Sequence, residues 1–248
     1  MNLALKNKIC LLVGLGRSIE ELEARIEEFK DFDVVWCGMS SFDIPQKYIL
    51  DKINKHFQII YDSSTVQNAE EYELTRRIPR LTKHLDKYPD SCYITTNSDK
   101  NNAYRLRERI APEFNRKYRN QIIYAEEIGV DPNPFCVSIH LYIACLYKLN
   151  CKEIILFGQD GDRQGLYNNK VESYYKHELI KEDKIVADNL VYNLIGDTHN
   201  VNTTYKDRMF ATLGYVPNLL NCSPNSSFTV WQVIDYNTVL EYLKQNIK

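Results

Sequence analysis

Three short stretches of this sequence carry residue types that could do chemistry. The first is V-G-L-G-R-S, in which Gly14 and Gly16 let the backbone approach a ligand closely and Ser18 opens a helical pattern. Unpaired N–H groups and the positive end of the helix dipole would attract a phosphate there. The pattern predicts a phosphate-binding turn formed by Gly14, Leu15, Gly16, Arg17 and Ser18, with a plain tight turn between strand and helix as the alternative.

The second stretch is F-G-Q-D-G-D, residues 157–162, which follows an apolar run. Asp160 and Asp162 stand one residue apart just after Gly158. Two carboxylates at this spacing can share Mg²⁺ or Mn²⁺ and hold a diphosphate through the metal, because these ions prefer oxygen ligands. The alternative is a polar loop closed by Asx turns.

The third stretch, G-D-T-H-N-V-N-T, contains His199. An imidazole in a polar segment can exchange protons with a substrate hydroxyl, so His199 is the predicted general base, against the alternative of an inert loop histidine. His56, His84 and His177 fall in charged helical stretches and are predicted to be solvated. His140 falls in an apolar stretch and is predicted to be a core residue with its hydrogen bonds satisfied.

Alternating strands and helices must position these residues. Apolar, β-rich runs predict strands at residues 9–13, 33–37, 58–61, 92–96, 122–125, 153–157, 219–222 and 228–233. Ser18 and Glu21 predict a capping box, Pro79 interrupts the helical period of residues 74–85, and residues 132–149 predict a helix that is apolar on most faces. This order predicts an α/β fold with a Rossmann-like, mostly parallel sheet flanked by helices.

Length and composition limit the protein classes. A chain of 248 residues with 44% hydrophobic content predicts one domain over residues 1–248, and a polar, Gly- and Asn-rich segment predicts a lid or small subdomain over residues 160–205. A net charge of -2 lacks the basic excess of nucleic-acid binders, so no nucleic-acid partner is expected. Seven scattered cysteines predict reduced, buried thiols, and no apolar run reaches the roughly 18 residues of a membrane span, so the expected location is the cytoplasm.

The glycine turn also limits the nucleotide. Its third glycine is missing, and no acidic residue follows at the spacing of a dinucleotide fingerprint. The turn therefore disfavours NAD and favours a mononucleotide.

Five motifs together resemble a known family. L-V-G-L-G-R-S-I, F-D-V-V-W-C, K-L-N-C-K-E-I-I-L-F-G-Q-D, T-H-N-V-N-T and N-C-S-P-N-S-S resemble, in this order, bacterial lipooligosaccharide sialyltransferases and the related motility accessory factor proteins. The resemblance implies an inverting transfer of a sialic-acid-like sugar from a CMP-activated donor to a glycan hydroxyl, with no cofactor required. It leaves open peripheral contact with the inner membrane and a homo-oligomer.

The resemblance also implies roles for individual residues. His199 matches the general base, Tyr167 falls close to a tyrosine that stabilises the departing phosphate, and Asp160 matches an acidic residue after the glycine. The resemblance implies nucleotide contacts at Gly14, Gly16, Ser18, Asp62, Ser63 and Ser64. The full set of predicted nucleotide-binding residues adds Leu15, Arg17, Gly158, Pro224, Asn225 and Ser226.

The chain departs from the family pattern at four positions. Leu15 and Arg17 replace an asparagine and a proline, Gly38 replaces a nucleotide-contacting asparagine, and Asp162 replaces a phosphate-facing tyrosine. A carboxylate beside a phosphate is repulsive unless a cation bridges them or Asp162 turns away. The departures therefore predict a different donor, the use of a metal or a loss of activity. Arg17 could compensate, since a guanidinium can clamp a phosphate directly.

Two other functions are compatible with the same residues. A Mg²⁺-dependent phosphotransferase similar to the pterin diphosphokinases would use ATP with Asp160 and Asp162 as metal ligands. A non-catalytic sugar- or nucleotide-binding module would keep the glycine turn without turnover.

Overall fold

The computed structural model describes residues 5–14, 16, 18–39, 42–62, 69–96, 109–132, 138–160, 202–224 and 226–247. Within them eight strands form one sheet: β1 (Ile9–Val13), β2 (Val35–Gly38), β3 (Ile59–Tyr61), β4 (Cys92–Thr95), β5 (Ile122–Tyr124), β6 (Glu153–Phe157), β7 (Leu220–Cys222) and β8 (Gln232–Val233). Their order is β5-β4-β3-β2-β1-β6-β7-β8, and every neighbouring pair is parallel.

The predicted α/β fold with a parallel sheet is therefore confirmed. Each predicted strand is present, and β1 and β6 have the predicted bounds. The last strand is shorter than predicted, because only Gln232–Val233 pairs with β7. Phe228 and Trp231, which the prediction included, are buried in the apolar core but do not pair with β7.

Helices fill the connections within the described residues. They are α1 (Ile19–Ala24), α2 (Asp43–Tyr48), α3 (Ala69–Tyr72), α4 (Ile78–Lys87), α5 (Pro112–Lys117), α6 (Ser138–Lys148), α7 (residues 202–213) and α8 (Tyr236–Asn246). Short 3₁₀ turns occupy Ile26–Phe29, Leu50–Ile53 and Ala125–Ile128. None of these helices combines the length and the apolar character needed to cross a bilayer.

Two apolar layers cover the sheet. Side chains of β1 alternate, so that Ile9, Leu11 and Val13 join one layer and Cys10 and Leu12 join the other. The first layer includes buried residues of α1, α4 and α8, and the second includes those of α6 and α7. Residues 139–146 of α6 are all buried, which confirms the predicted central helix.

Pro79 interrupts its helix as predicted. A π-helical turn at Glu73–Arg77 ends where α4 begins, and Pro79 lies in the first turn of α4. The first turn tolerates proline because its N–H groups have no partner within the helix. The wider π turn absorbs the break, and such turns often occur at functional sites.

The prediction that His84 is solvated is wrong. His84 is buried on α4, where its Nε2 lies 3.0 Å from the carbonyl oxygen of Phe57 and its ring packs against Phe42 at 5.0 Å. Desolvation by burial is the main cause that lowers the pKa of His84 to about 4. The helical period identified a charged stretch, but it did not indicate that this position faces the sheet.

His84 predicts a loss of stability in acid. Its pKa in the folded chain is about 4, below the ordinary value of 6.5, so the folded state favours the neutral ring. The contribution of His84 to the free energy of unfolding is fully present above pH 6.5. It is lost as the pH falls from 6.5 towards 4, and the loss amounts to about 3 kcal/mol. Urea unfolding of the wild type and of His84→Phe across this window should show a shallower pH dependence for the variant. Equal slopes would contradict the prediction.

Six of the seven cysteines lie in the described residues, and all six are free and buried. This confirms the predicted reduced thiols for those six. Burial raises the pKa of Cys92 and Cys145, which keeps these thiols protonated and unreactive. The lid predicted for residues 160–205 lies mostly outside the described residues.

Candidate functional site

The carboxyl edge of the sheet contains a change of chain direction. From β1 the strand order runs to β2, β3, β4 and β5, and the chain then returns to place β6 on the other side of β1. In open α/β sheets, ligands bind outside the carboxyl ends of the strands at such a switch point. All the predicted site residues that the structure describes follow strands at this edge: Gly14, Gly16, Ser18, Asp62, Gly158, Asp160, Pro224 and Ser226.

The two glycines after β1 allow a close approach, but the approaching group is the chain itself. The N–H of Gly14 donates to the carbonyl of Phe157, and the N–H of Gly16 donates to that of Gly158, each at 2.8 Å. A Cβ added at either position would lie 2.6 Å from the carbonyl oxygen of Gly158. The glycines are therefore required to join the ends of β1 and β6, and neither N–H is unpaired.

Asp160 holds the start of α1. One carboxylate oxygen accepts a hydrogen bond from the backbone N–H of Ser18 at 2.9 Å, and the other accepts one from the Ser18 hydroxyl. The next amide, that of Ile19, donates to the carbonyl of Gly16 at 3.2 Å. The negative carboxylate thus occupies the positive end of the helix, the place where the sequence predicted a phosphate.

The predicted capping box is wrong. Ser18 has a helical backbone conformation and its side chain makes no capping hydrogen bond with Glu21. The N–H of Glu21 donates instead to the backbone carbonyl of Ser18 at 3.3 Å, and the Ser18 hydroxyl donates to Asp160. Nothing in the local sequence indicates this partner, which lies 142 residues further along the chain.

The predicted metal pair is described only at Asp160. The described part of the chain contains no group of three histidine, cysteine or acidic side chains that could hold a metal ion. Asp160 is 6% exposed, and both its oxygens already accept hydrogen bonds from Ser18. A metal at this carboxylate would have to compete with those donors.

The segment after β7 supports the loop after β6 from its other side. Ser226 donates its hydroxyl to the carbonyl of Gln159 at 2.6 Å, and the amide of Ser227 donates to the carbonyl of Asp160 at 2.8 Å. The amide of Gln159 donates to the hydroxyl of Ser223 at 2.9 Å. The C-S-P-N-S-S motif therefore positions the backbone of residues 159–160, and Ser223 and Ser227 are contributors that the sequence did not single out.

A buried ion cluster at the end of β3 was also missed. The Nε of Arg77 lies 2.6 Å from a carboxylate oxygen of Asp62, and the same guanidinium contacts Glu73. All three side chains are almost fully buried. Asp62, a predicted nucleotide contact, thus has a buried cation as its neighbour.

Gly38 explains one departure from the family pattern. A Cβ at this position would lie 2.9 Å from the Cβ of Phe42 and 2.9 Å from the ring of Phe57. An asparagine here would have to displace both the Phe42 side chain at its Cβ and the ring of Phe57. Packing at the end of β2 therefore requires glycine in this chain.

Eight predicted site residues lie outside the described residues. They are His199, Tyr167, Asp162, Leu15, Arg17, Ser63, Ser64 and Asn225. Their roles stay predictions.

Comparisons with known proteins do not assign the chain to a family. A scan against protein-family models gives no match, and a search of curated proteins gives none. The family resemblance accordingly depends on the five motifs alone.

Proposed function

We propose that the chain is an inverting glycosyltransferase that moves a sialic-acid-like sugar from a CMP-activated donor to a glycan hydroxyl. One observation carries the proposal. Motif residues that are far apart in the sequence follow β1, β3, β6 and β7, and so converge on one edge beside the switch point between β1 and β6. Open α/β sheets bind nucleotides at this position, which suits a nucleotide sugar.

Catalysis requires a base and a leaving group. The acceptor hydroxyl attacks the anomeric carbon from the side opposite the nucleotide, its proton passes to His199, and the bond between that carbon and the phosphate oxygen breaks to release CMP. Tyr167 would donate a hydrogen bond to the departing phosphate. Because Asp160 occupies the start of α1, the charge that holds the phosphate would come from a side chain, and Arg17 is the proposed source.

The same hydrogen bonds support the proposal that the reaction needs no metal ion. The carboxylate of Asp160 accepts two hydrogen bonds from Ser18, which supports a structural role for Asp160 rather than metal ligation. The phosphotransferase alternative needs that carboxylate on Mg²⁺.

A thermal-shift experiment separates these functions. The wild-type chain is heated with CMP, UDP or ATP, each with and without Mg²⁺. At about 100 times its Kd, CMP should raise Tm by about 5–10 °C without metal. Stabilisation by ATP only, and only with Mg²⁺, would support the phosphotransferase and overturn the proposal. CMP binding without release of CMP from CMP-N-acetylneuraminate would support the binding module.

His199→Ala tests the predicted base. The variant should keep the CMP-induced shift in Tm but release CMP from the donor about 10²-fold more slowly or worse, with a galactoside acceptor present. His56→Ala is the matched control, since His56 precedes β3 at the opposite edge and lies 3.2 Å from Asp90. Normal turnover by His199→Ala would remove His199 from this role.

A further inference from the structure

His140 is a buried imidazole with no hydrogen-bond partner in the part of the chain that the structure describes. It lies in the first described turn of α6 and is 0% exposed, and neither Nδ1 nor Nε2 has a partner among the described residues. The predicted core position of His140 is confirmed, but the predicted hydrogen bonds are not found among the described residues. Nearly all buried polar side chains in proteins are hydrogen-bonded, so a group left open in this way calls for an explanation.

The topology places His140 at the edge that holds the candidate site. Since β5 and β6 are parallel, the chain must return through α6 from the carboxyl edge to the amino edge. At the far end of this crossover the N–H of Lys152 donates to the carbonyl of Lys8, just before β1 and β6 begin. The first turn of α6, with His140, consequently belongs to the carboxyl edge.

The start of α7 lies at the same edge by the same reasoning. Asn202 donates its side-chain amide to the carbonyl of Ser227 at 3.1 Å and accepts from the amide of Thr229 at 2.8 Å. The ring of Tyr205, one turn further along, packs against His140 with a centroid distance of 5.2 Å. The first turns of α6 and α7 are therefore in contact.

Arg208 supplies a positive charge beside this imidazole. It follows Tyr205 by three residues, which puts both side chains on the face of α7 that meets α6. Burial, together with the charge of Arg208, lowers the pKa of His140 to about 3 and keeps the ring neutral. Arg208 is half-buried and makes no hydrogen bond or ion pair with any described residue.

A neutral imidazole and a guanidinium complement one kind of group. The ring offers one N–H donor, and the guanidinium offers several donors with a full positive charge, but the pair contains no negative group. Carboxylate and phosphate oxygens are the acceptors that such donors recognise. We propose that His140 and Arg208 form a subsite for an oxyanion of the ligand bound at the carboxyl edge.

The source of the oxyanion depends on the proposed function. A CMP-activated sugar acid carries a phosphate and a carboxylate, and either could occupy the subsite. A hydrogen bond from the neutral ring N–H to a bound oxyanion changes the ¹⁵N chemical shifts of the ring, which gives a signal that is specific to this residue.

The test follows the ring nitrogens of His140 by ¹⁵N NMR at pH 7, with the resonance assigned from His140→Phe. CMP is compared with cytidine, and N-acetylneuraminate with N-acetylmannosamine, so that each pair differs by its anionic group. A shift with CMP but not cytidine assigns the phosphate, and a shift with N-acetylneuraminate only assigns the carboxylate. Inorganic phosphate and acetate probe the subsite without nucleoside or sugar.

Two variants distinguish binding from a structural role. The anion that shifts the His140 resonance should bind to Arg208→Gln with about tenfold lower affinity or worse. Arg208→Lys should retain part of the wild-type affinity. His140→Phe should bind it more weakly without a loss in Tm, because the ring makes no hydrogen bonds to lose in the described chain.

The outcomes separate the two proposals. The subsite would be overturned if the His140 resonance did not shift with CMP, N-acetylneuraminate, inorganic phosphate or acetate. It would also be overturned if Arg208→Gln bound the anion within twofold of the wild-type affinity. Failure of CMP to raise Tm, with His140 still responding to inorganic phosphate or acetate, would overturn the proposed function and leave the subsite standing.

Discussion

Arg77→Met should lower the free energy of unfolding by about 3–5 kcal/mol, because it leaves buried carboxylates without their cation. The side chains of Arg77, Asp62 and Glu73 are 5%, 9% and 2% exposed. Water cannot readily replace the guanidinium at such depth, so the carboxylates of Asp62 and Glu73 would lose the cation that contacts both of them. Chemical denaturation monitored by circular dichroism measures the loss.

An exposed ion pair provides the control. Arg119 and Glu127 lie 2.6 Å apart, but their side chains are 55% and 47% exposed. Arg119→Met also deletes a guanidinium, but this one lies at the surface, where water solvates the remaining carboxylate. The loss in free energy of unfolding should therefore be several times smaller than for Arg77→Met. Equal effects of the two substitutions would show that the cluster at Arg77 is not held by its charge.

The cluster also affects the candidate site. Asp62 follows β3 at the carboxyl edge, and its carbonyl accepts a hydrogen bond from the hydroxyl of Tyr93 at 3.2 Å. Arg77 holds its carboxylate from the π turn before α4. A folded Arg77→Lys variant should therefore bind CMP more weakly if Asp62 contacts the nucleotide, because lysine keeps the charge but not the guanidinium geometry.

Gly158→Ala should destabilise the chain by about 2–5 kcal/mol, the sum of backbone strain and steric overlap. Gly158 has a φ of +65°, a conformation that L side chains rarely adopt. Its added Cβ would also lie 2.4 Å from Cγ2 of Ile19, the first residue of α1. Thermal unfolding of the variant gives the size of the loss.

Gly129→Ala separates the two causes. Gly129 has a φ of +77°, but a Cβ there would meet nothing within 4 Å. Its variant should show the strain alone, about 1–2 kcal/mol. A loss for Gly158→Ala no larger than this would mean that α1 moves away from β6 without cost.

The contact between Gly158 and Ile19 connects stability to binding. The overlap pushes α1 away from β6, which would lengthen the hydrogen bonds from Gly16 to Gly158 and from Ser18 to Asp160. If the proposed nucleotide lies over this turn, Gly158→Ala should also reduce the CMP-induced shift in Tm.

Much of the architecture could be predicted from the sequence. The runs at residues 9–13 and 153–157 are apolar because both faces of a parallel strand are covered, and that composition is visible without any partner. The burial of residues 139–146 follows in the same way from a helix that is apolar on most faces. These features are local, and local patterns are what a single sequence records.

The candidate site was predicted in part. Gly14 and Gly16 were identified correctly as positions where the backbone must be approached closely, yet the approaching group proved to be the loop after β6. Ser18 was expected to cap its own helix through Glu21, but it binds Asp160. In each case the residue type indicated that a close contact or a hydrogen bond forms at that position. The sequence did not indicate which residue is the partner.

Tertiary structure alone decided those partners. The order β2-β1-β6-β7 brings the turn after β1 against residues 158–160 and 223–227, although 142 residues separate Ser18 from Asp160. The same ordering fixed the burial of Arg77 beside Asp62 and of His140 beside Tyr205. The sequence determined which segments are strands and helices, because side-chain periodicity is local. The strand order determined which polar groups meet, because each needs a partner that only the packed sheet brings within hydrogen-bonding distance.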